Sequence, residues 1–275
     1  MTRKIFRAKL QRMLRQARLL APAEKLRYYL KRVQLGKRNR RFIQENPDFS
    51  LPPAYLAFDA YSSSHWEFYK VSGELTAKFL SEIVSKYFNN HNRISTVYEW
   101  GCGPARIIRQ LPAVLDKSIS FYASDYNEQT IEWCKQNVEN VAFIKNELEP
   151  PLPYIDNQFD FIYAASVFTH LSEENALKWS KELARVLAPN GILLITTNSD
   201  AAYQKELLRD EKKRYESAGI VVSGNYEEGK KMFLARHSPK YIRETLLQPF
   251  QILEHVPMGF PFMKQDYWIA HKKQV

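Results

Sequence analysis

The segment Val97-Tyr98-Glu99-Trp100-Gly101-Cys102-Gly103-Pro104-Ala105-Arg106 constrains this chain most. A short run of strand formers (Ile94, Thr96, Val97, Tyr98) ends in a carboxylate, and a tight Gly-x-Gly turn follows. Glycine tolerates φ > 0 and lets the backbone approach a ligand, while a small residue two places later lets a helix pack on the strand. That is the construction of an α/β nucleotide-binding loop. The loop carries an acid and no Lys, so it is not a phosphate cradle of the GxxxxGK[ST] kind. Glu99 at the strand end suits a ligand that is positively charged or rich in hydroxyls and amines.

Strand and helix signals alternate beyond the loop, the pattern of a parallel sheet with crossover helices. Strands are expected at 95–99, 119–124, 141–144, 159–164 and 191–197, with helices near 104–115, 127–138 and 173–187. Ser172 suits an N-cap, with Glu173 and Glu174 in the first turn. Pro189-Asn190-Gly191 reads as a stop. Residues 200–236 read as a charged, partly helical insertion. Ser238-Pro239 opens another helix, and strands near 250–256 and 266–271 follow. Upstream, a helix is expected over Ser72–Phe88, and the turn Asn89-Asn90-His91-Asn92 delivers the chain to the first strand.

The 275 residues allow one large domain plus appendages. The division expected is a basic amphipathic extension at 1–45, a connector and helical cap at 46–93, and an α/β domain at 94–275 with an insertion at 200–240. The two cysteines, Cys102 and Cys134, read as reduced thiols, because a disulfide at Cys102 would obstruct the loop. No 18-residue apolar run suggests a transmembrane helix. A cytoplasmic location, at most peripheral at a membrane, is expected. No two histidines stand at ligand spacing and there is no Cys cluster, so no metal site is expected.

The net charge of +10 is unevenly spread: residues 1–41 hold 15 Lys/Arg and one acid, Glu24. The remainder is mildly acidic. Phe6, Leu10, Met13, Leu14, Ala17 and Leu20 or Ala21 fall on one helical face, flanked by Arg3, Arg7, Arg12, Arg15 and Arg18. Pro22 is expected to interrupt, and a second basic helix to run from Ala23 to Leu35 and end at Gly36. Three readings stay open: a solvated extension, a basic amphipathic helix on an anionic membrane surface through residues 1–20, or nonspecific nucleic-acid affinity. The segment has no base-reading or stacking motif, which disfavours nucleic acid. An Arg-rich organellar presequence fits the composition, but no clear cleavage signal follows.

In a doubly wound sheet, ligands lie beyond the carboxyl ends of the strands. The first such end carries Glu99, Gly101 and Gly103. The second carries Asp125, about twenty residues on, where an acid accepts bonds from two ribose hydroxyls; the alternative role is a helix N-cap. The third is followed by Asn146, Glu147 and Leu148, and the fourth by Ala165, Ser166 and His170.

Glu-x-Gly-x-Gly, the acid after strand two, Phe159-Asp-Phe-Ile-Tyr-Ala164 and Arg185-Val-Leu-Ala-Pro-Asn-Gly191 together resemble class I S-adenosylmethionine-dependent methyltransferases, over about residues 94–200. Within them the chain is similar to the small-molecule branch (domain type 11/12). Glu149-Pro-Pro-Leu-Pro-Tyr154 and Ser166-Val-Phe-Thr-His-Leu171 resemble bacterial members associated with sugar and cell-envelope biosynthesis. The resemblance implies a Rossmann-like seven-stranded sheet whose last strand is antiparallel. It implies Gly101 and Gly103 beside the methionine part, Glu99 on its ammonium, Asp125 on the ribose and Tyr126 against the adenine. Asn146, Glu147 and Leu148 would line the adenine edge, with Ala165 and Ser166 as floor. Ala105 stands at the third small position, and Asn146 where many relatives carry Asp.

The implied reaction is methyl transfer to a small-molecule or glycan-like acceptor, at oxygen. A hydroxyl acceptor benefits from a general base, for which His170 is the first candidate; its alternative is a purely structural histidine. His65, Trp66, Asn198, His237 and Gln265 are further groups that could face the acceptor. Rival readings are a lipid-linked or nucleic-acid acceptor reached through the basic extension, or a non-catalytic binding protein. Ala165-Ser166-Val167-Phe168 stands where flipped-base amine methylation uses an Asn/Asp-Pro-Pro-aromatic tetrapeptide.

Overall fold

In the computed structural model, described for residues 3–88, 93–200 and 207–273, the strands form a seven-stranded sheet. They are β1 (Thr96–Trp100), β2 (Ser120–Asp125), β3 (Ala142–Lys145), β4 (Phe159–Ala164), β5 (Leu187–Asn198), β8 (Phe250–Val256) and β9 (Gln265–Lys272). Their order is β3-β2-β1-β4-β5-β9-β8. β9 pairs antiparallel with both β5 and β8, as expected of the last strand. A separate two-stranded antiparallel sheet joins β6 (Ile220–Ser223) and β7 (Leu234–His237). The turn expected at Asn89–Asn92 lies outside the described residues, as do residues 201–206 of the insertion.

The chain divides into two compact units: Pro22–Asn146, and the segments Met1–Ala21 and Glu147–Val275 together. In the first, β1 is buried along nearly its whole length, as a strand covered on both faces requires. α5 (Glu128–Asn137) starts on Asn127, whose side chain accepts from Thr130 N. Asp125 is therefore not the N-cap of that helix. α4 (Trp66–Tyr87) begins six residues earlier than its apolar spacing suggests. Trp66, placed at sequence level with the acceptor-facing groups, instead packs in a core with Phe42, Ala57 and Tyr69.

Three local expectations fail here. No α-helix follows the glycine loop. Turns lead into a 3-10 helix at Ile108–Ala113, because Pro104 has no N–H, Ala105 is held at φ 54° and Pro112 sits inside the segment. α2 runs from Leu20 to Glu45, not from 23 to 35. Pro22 lies in its first turn, where an N–H has no helical partner anyway. Gly36 costs about 1 kcal/mol in a helix interior. The contacts of Asn39, which bonds Ser64 O and Trp66 N, and of the buried Phe42 carry the helix past it. The connector contains α3 (Ala54–Tyr61), directly after Pro52-Pro53.

In the second unit, α6 (Glu173–Val186) is capped by Ser172, which accepts from Asn175 N, as expected. Arg185 in its last turn bonds Glu182, Asp156 and the carbonyls of Tyr154 and Leu152. The insertion contains α7 (Arg209–Ala218) and the β6–β7 pair, which the charge pattern concealed. α1 (Arg3–Gln16) stops with Arg18 at φ 57° and Leu19 N bonded to Leu14 O, a left-handed C-cap. It docks on the insertion by its basic side: Arg12 pairs with Asp210 at 2.8 Å, and Arg15 donates to the carbonyls of Ser223, Gly224 and Met232. Burial lowers the Arg15 pKa from its ordinary value.

Candidate functional site

In unit 22–146 the glycine loop hangs from the end of β2. Gly101 N and Cys102 N both donate to Ser124 O at 2.9 Å, and Gly103 N donates to the Asp125 carboxylate at 2.9 Å. The other Asp125 oxygen accepts from Asn127 N at 2.9 Å. Asp125 thus ties the loop to the start of α5. Gly101 and Gly103 stand at φ 74° and 52°. A Cβ on Gly103 would lie 3.0 Å from the Tyr61 hydroxyl and 3.1 Å from Ala60 Cβ, so only glycine fits without displacing α3. Glu99 is buried and accepts from Ile108 N at 3.1 Å, which caps the 3-10 helix with a carboxylate.

Four residues behind the loop escaped sequence reasoning as parts of the site. Tyr61 OH donates to Cys102 O, and Tyr69 OH donates to Pro104 O. Arg106 bonds Ser72 Oγ at 2.8 Å, with its guanidinium 4.9 Å from the Tyr61 ring centre. Gly73 backs onto the Arg106 carbonyl. The one sequence signal was a glycine inside a helical pattern, which marks close backbone approach. Burial raises the pKa of Tyr61, so its hydroxyl stays protonated. Both cysteines are free and buried, and burial raises the Cys102 thiol as well. Asn146 is buried, and its N–H donates to Asp125 O. Tyr126 is half-buried beside Asp125. His65 is the residue before α4, with its Nε2 3.7 Å from Glu67.

A nucleoside with an attached amino acid fits this donor set. A carboxylate accepts up to roughly four hydrogen bonds, enough for two amides and a ribose diol together. Residues that would hold the group are Glu99, Gly101, Gly103, Asp125, Tyr126 and Asn146.

In unit 147–275 the loop after β4 is pinned from two strands. Ser166, at φ 69°, donates its N–H to Thr196 Oγ1 at 2.7 Å. Thr196 donates in turn to Gln265 Oε1 at 2.6 Å, and Gln265 Nε2 donates to Ser166 Oγ at 2.7 Å. Left-handed backbone at a non-glycine residue costs about 1–2 kcal/mol, and this closed ring of bonds holds it. Gln265 therefore positions the loop. Ala165 is half-buried next to it, Glu147 is exposed, and Leu148 O accepts from Trp179 Nε1.

His170 lies in a 3-10 turn (Phe168–His170), with its Nδ1 2.9 Å from Phe233 O. A carbonyl only accepts, so Nδ1 carries a proton, and in the neutral ring the lone pair lies on Nε2. Asn198 Nδ2 donates to Ala235 O at 3.2 Å, and Tyr215 OH bonds both Asp200 and His237 O. These bonds run residues 198–200 alongside 235–237. His237 is 2% exposed, stacks on Tyr241 and has no hydrogen-bond partner on either ring nitrogen among the described residues. The Ser199 hydroxyl, also buried, is unpartnered among them too. Buried polar groups are normally bonded, to protein or to ordered water. Among the described residues no cluster of His, Cys, Asp or Glu could hold a metal ion.

Burial pushes the His237 imidazole down to about 4. Between that value and the unfolded value of about 6.5, the unfolded chain binds the extra proton. Stability from this group is therefore complete above about pH 6.5 and falls as pH drops towards 4, by about 3 kcal/mol. Urea unfolding of wild type and His237→Phe at pH 7 and pH 4 checks it. The stability difference between the two proteins should move by about that amount, wild type being favoured at the higher pH.

Residues 98–195 match the family model of a methyltransferase domain. Among solved structures, a protein of Pyrococcus horikoshii OT3 is 17% identical, aligned over 76% of this chain and 96% of its own, with a TM-score of 0.54. An S-adenosylmethionine-dependent methyltransferase of Methanosarcina mazei is 19% identical over 69% of this chain and 96% of its own, with a TM-score of 0.50. The 1,6-didemethyltoxoflavin-N1-methyltransferase of Burkholderia thailandensis, solved with bound 1,6-didemethyltoxoflavin and S-adenosylhomocysteine, is 15% identical over 82% of this chain and 92% of its own, TM-score 0.50. At these identities the structures share the fold.

Proposed function

We propose that this chain, an S-adenosylmethionine-dependent methyltransferase whose residues 98–195 match a methyltransferase-domain model, methylates a hydroxyl of a small-molecule or glycan-like acceptor. S-adenosylmethionine, when bound, supplies an electrophilic methyl group on a sulfonium, so the protein's work is approach, orientation and proton removal. Glu99, Gly101, Gly103, Asp125, Tyr126 and Asn146 hold the cofactor in their unit, and Glu147, Leu148, Ala165 and Ser166 carry the roles the family resemblance implies. His170 takes the acceptor proton on Nε2. Ser199 and His237 bond the acceptor's polar groups, with Asn198 holding their strand. His65 remains an acceptor-side candidate in the other unit.

The observation that carries this reading is the His170–Phe233 bond, which sets the imidazole tautomer for base chemistry. The test is turnover with hydroxyl-bearing acceptors. His170→Ala should lower kcat about 100-fold and flatten the acid limb of the pH profile, with cofactor affinity unchanged. Turnover within threefold of wild type, or methylation found on nitrogen, would sink it.

Peripheral placement on an anionic membrane through residues 1–20, giving access to a lipid-linked acceptor, is a second reading. It is favoured by the direction in which α1 docks. Arg12 and Arg15 face the insertion, while Phe6, Leu10 and Met13 are exposed.

A further inference from the structure

α2 (Leu20–Glu45) has a rotation fixed by its inner side. Tyr28 meets Phe58 edge-on with ring centres 5.3 Å apart, Leu35 and Phe42 are buried, and Asn39 bonds Ser64 O and Trp66 N. Positions 26, 30, 33 and 37 fall on the opposite side by helical spacing. A surface helix normally presents polar residues there. α2 instead presents Leu26, Tyr29, Leu30 and Val33, exposed by 61, 50, 62 and 82%. The same face then continues into the exposed cations Lys37 and Arg40.

We propose that this face of α2 lies on an anionic lipid bilayer, with the four apolar side chains at the acyl boundary and Lys37 and Arg40 among the phosphates. Charge selects this occupant. A second copy seated stripe to stripe would bring these cations together. The two acids of the helix, Glu24 and Glu45, already pair with its own Arg27 and Arg41. Nucleic acid would answer the cations and leave the apolar stripe uncovered. The combination of an apolar strip with flanking Lys/Arg is that of a helix lying in the interface. Among the described residues no helix is long and apolar enough to cross a membrane. The inference goes beyond methyl transfer, and it depends neither on the acceptor nor on α1.

The test is flotation of the full chain with vesicles of phosphatidylglycerol and phosphatidylcholine in equal parts, and with phosphatidylcholine alone. Wild type should bind the first and not the second. Leu26→Gln, Leu30→Gln and Val33→Gln combined should lower the partition coefficient by about tenfold or more. Lys37→Gln with Arg40→Gln should lower it about 25-fold, at roughly fivefold per cation. All five positions are solvent-facing, so thermal melting should be unchanged in both variants. Unchanged vesicle binding by the triple variant overturns the inference. So does loss of binding on removal of residues 1–17 alone, or a lipid-free wild-type dimer that the triple variant converts to monomer.

Discussion

Asp125→Ala is expected to weaken S-adenosylmethionine binding about 1000-fold, at 1.5–3 kcal/mol for each of two hydrogen bonds from a ribose diol to the charged carboxylate. The residue has a second task in the free protein. Its two oxygens receive Gly103 N and Asn127 N, so removal also leaves one backbone donor of the loop and one at the start of α5 without their acceptor. Titration calorimetry reads the first effect and a denaturation curve the second. Asp125→Asn keeps an acceptor oxygen for one of these amides and should fall between wild type and alanine in both. An alanine variant that binds the cofactor within a few-fold of wild type would remove Asp125 from the cofactor site and leave it a purely structural tie.

Gly73→Ala should destabilise unit 22–146 by about 4 kcal/mol, beyond the usual 1–3 kcal/mol of an overpacked site. The added Cβ would lie 2.1 Å from the Arg106 carbonyl oxygen and 3.2 Å from its carbon. The obstacle is backbone and cannot swing aside. Arg106 is also held by Ser72 Oγ from the preceding position of α4 and donates its N–H to the Tyr61 hydroxyl. Retreat of the helix would loosen the back of the glycine loop, so cofactor affinity should fall along with stability. Gly224→Ala is the control, since a Cβ there meets nothing within 4 Å. It should leave the denaturation midpoint nearly unchanged. A Gly73→Ala protein as stable as the Gly224→Ala protein would show that α4 can move away from the loop.

Elements with a strong periodic signal were legible in the residues themselves. β4 and β8 fall on the expected ranges, and α6 begins at its capping serine. The glycine loop and the acid after β2 were legible because their chemistry is local: a positive φ and a carboxylate at a strand end need no distant partner to be read. Failures occurred where a long-range contact outweighs a local preference. Gly36 should weaken a helix, and α2 passes through it because Tyr28, Asn39 and Phe42 are anchored on α3 and its surroundings. The β6–β7 pair lies in a charged stretch whose strand pairing no residue announces.

The candidate site divides along the same line. The loop of Glu99, Gly101 and Gly103 and the carboxylate of Asp125 read as nucleotide-binding from their own residues, because a strand-end turn is a local feature, whereas the class of cofactor came from the resemblance spread over residues 94–200. Which histidine has a fixed tautomer, and which lies buried and unpartnered, was decided only by the tertiary structure. His170 meets a carbonyl 63 residues away, and the His237 ring is enclosed by the insertion packing on the end of β5. The physical reason is that tautomer and desolvation are properties of the surroundings of a side chain. Those surroundings are assembled from segments that carry no mutual signal along the chain.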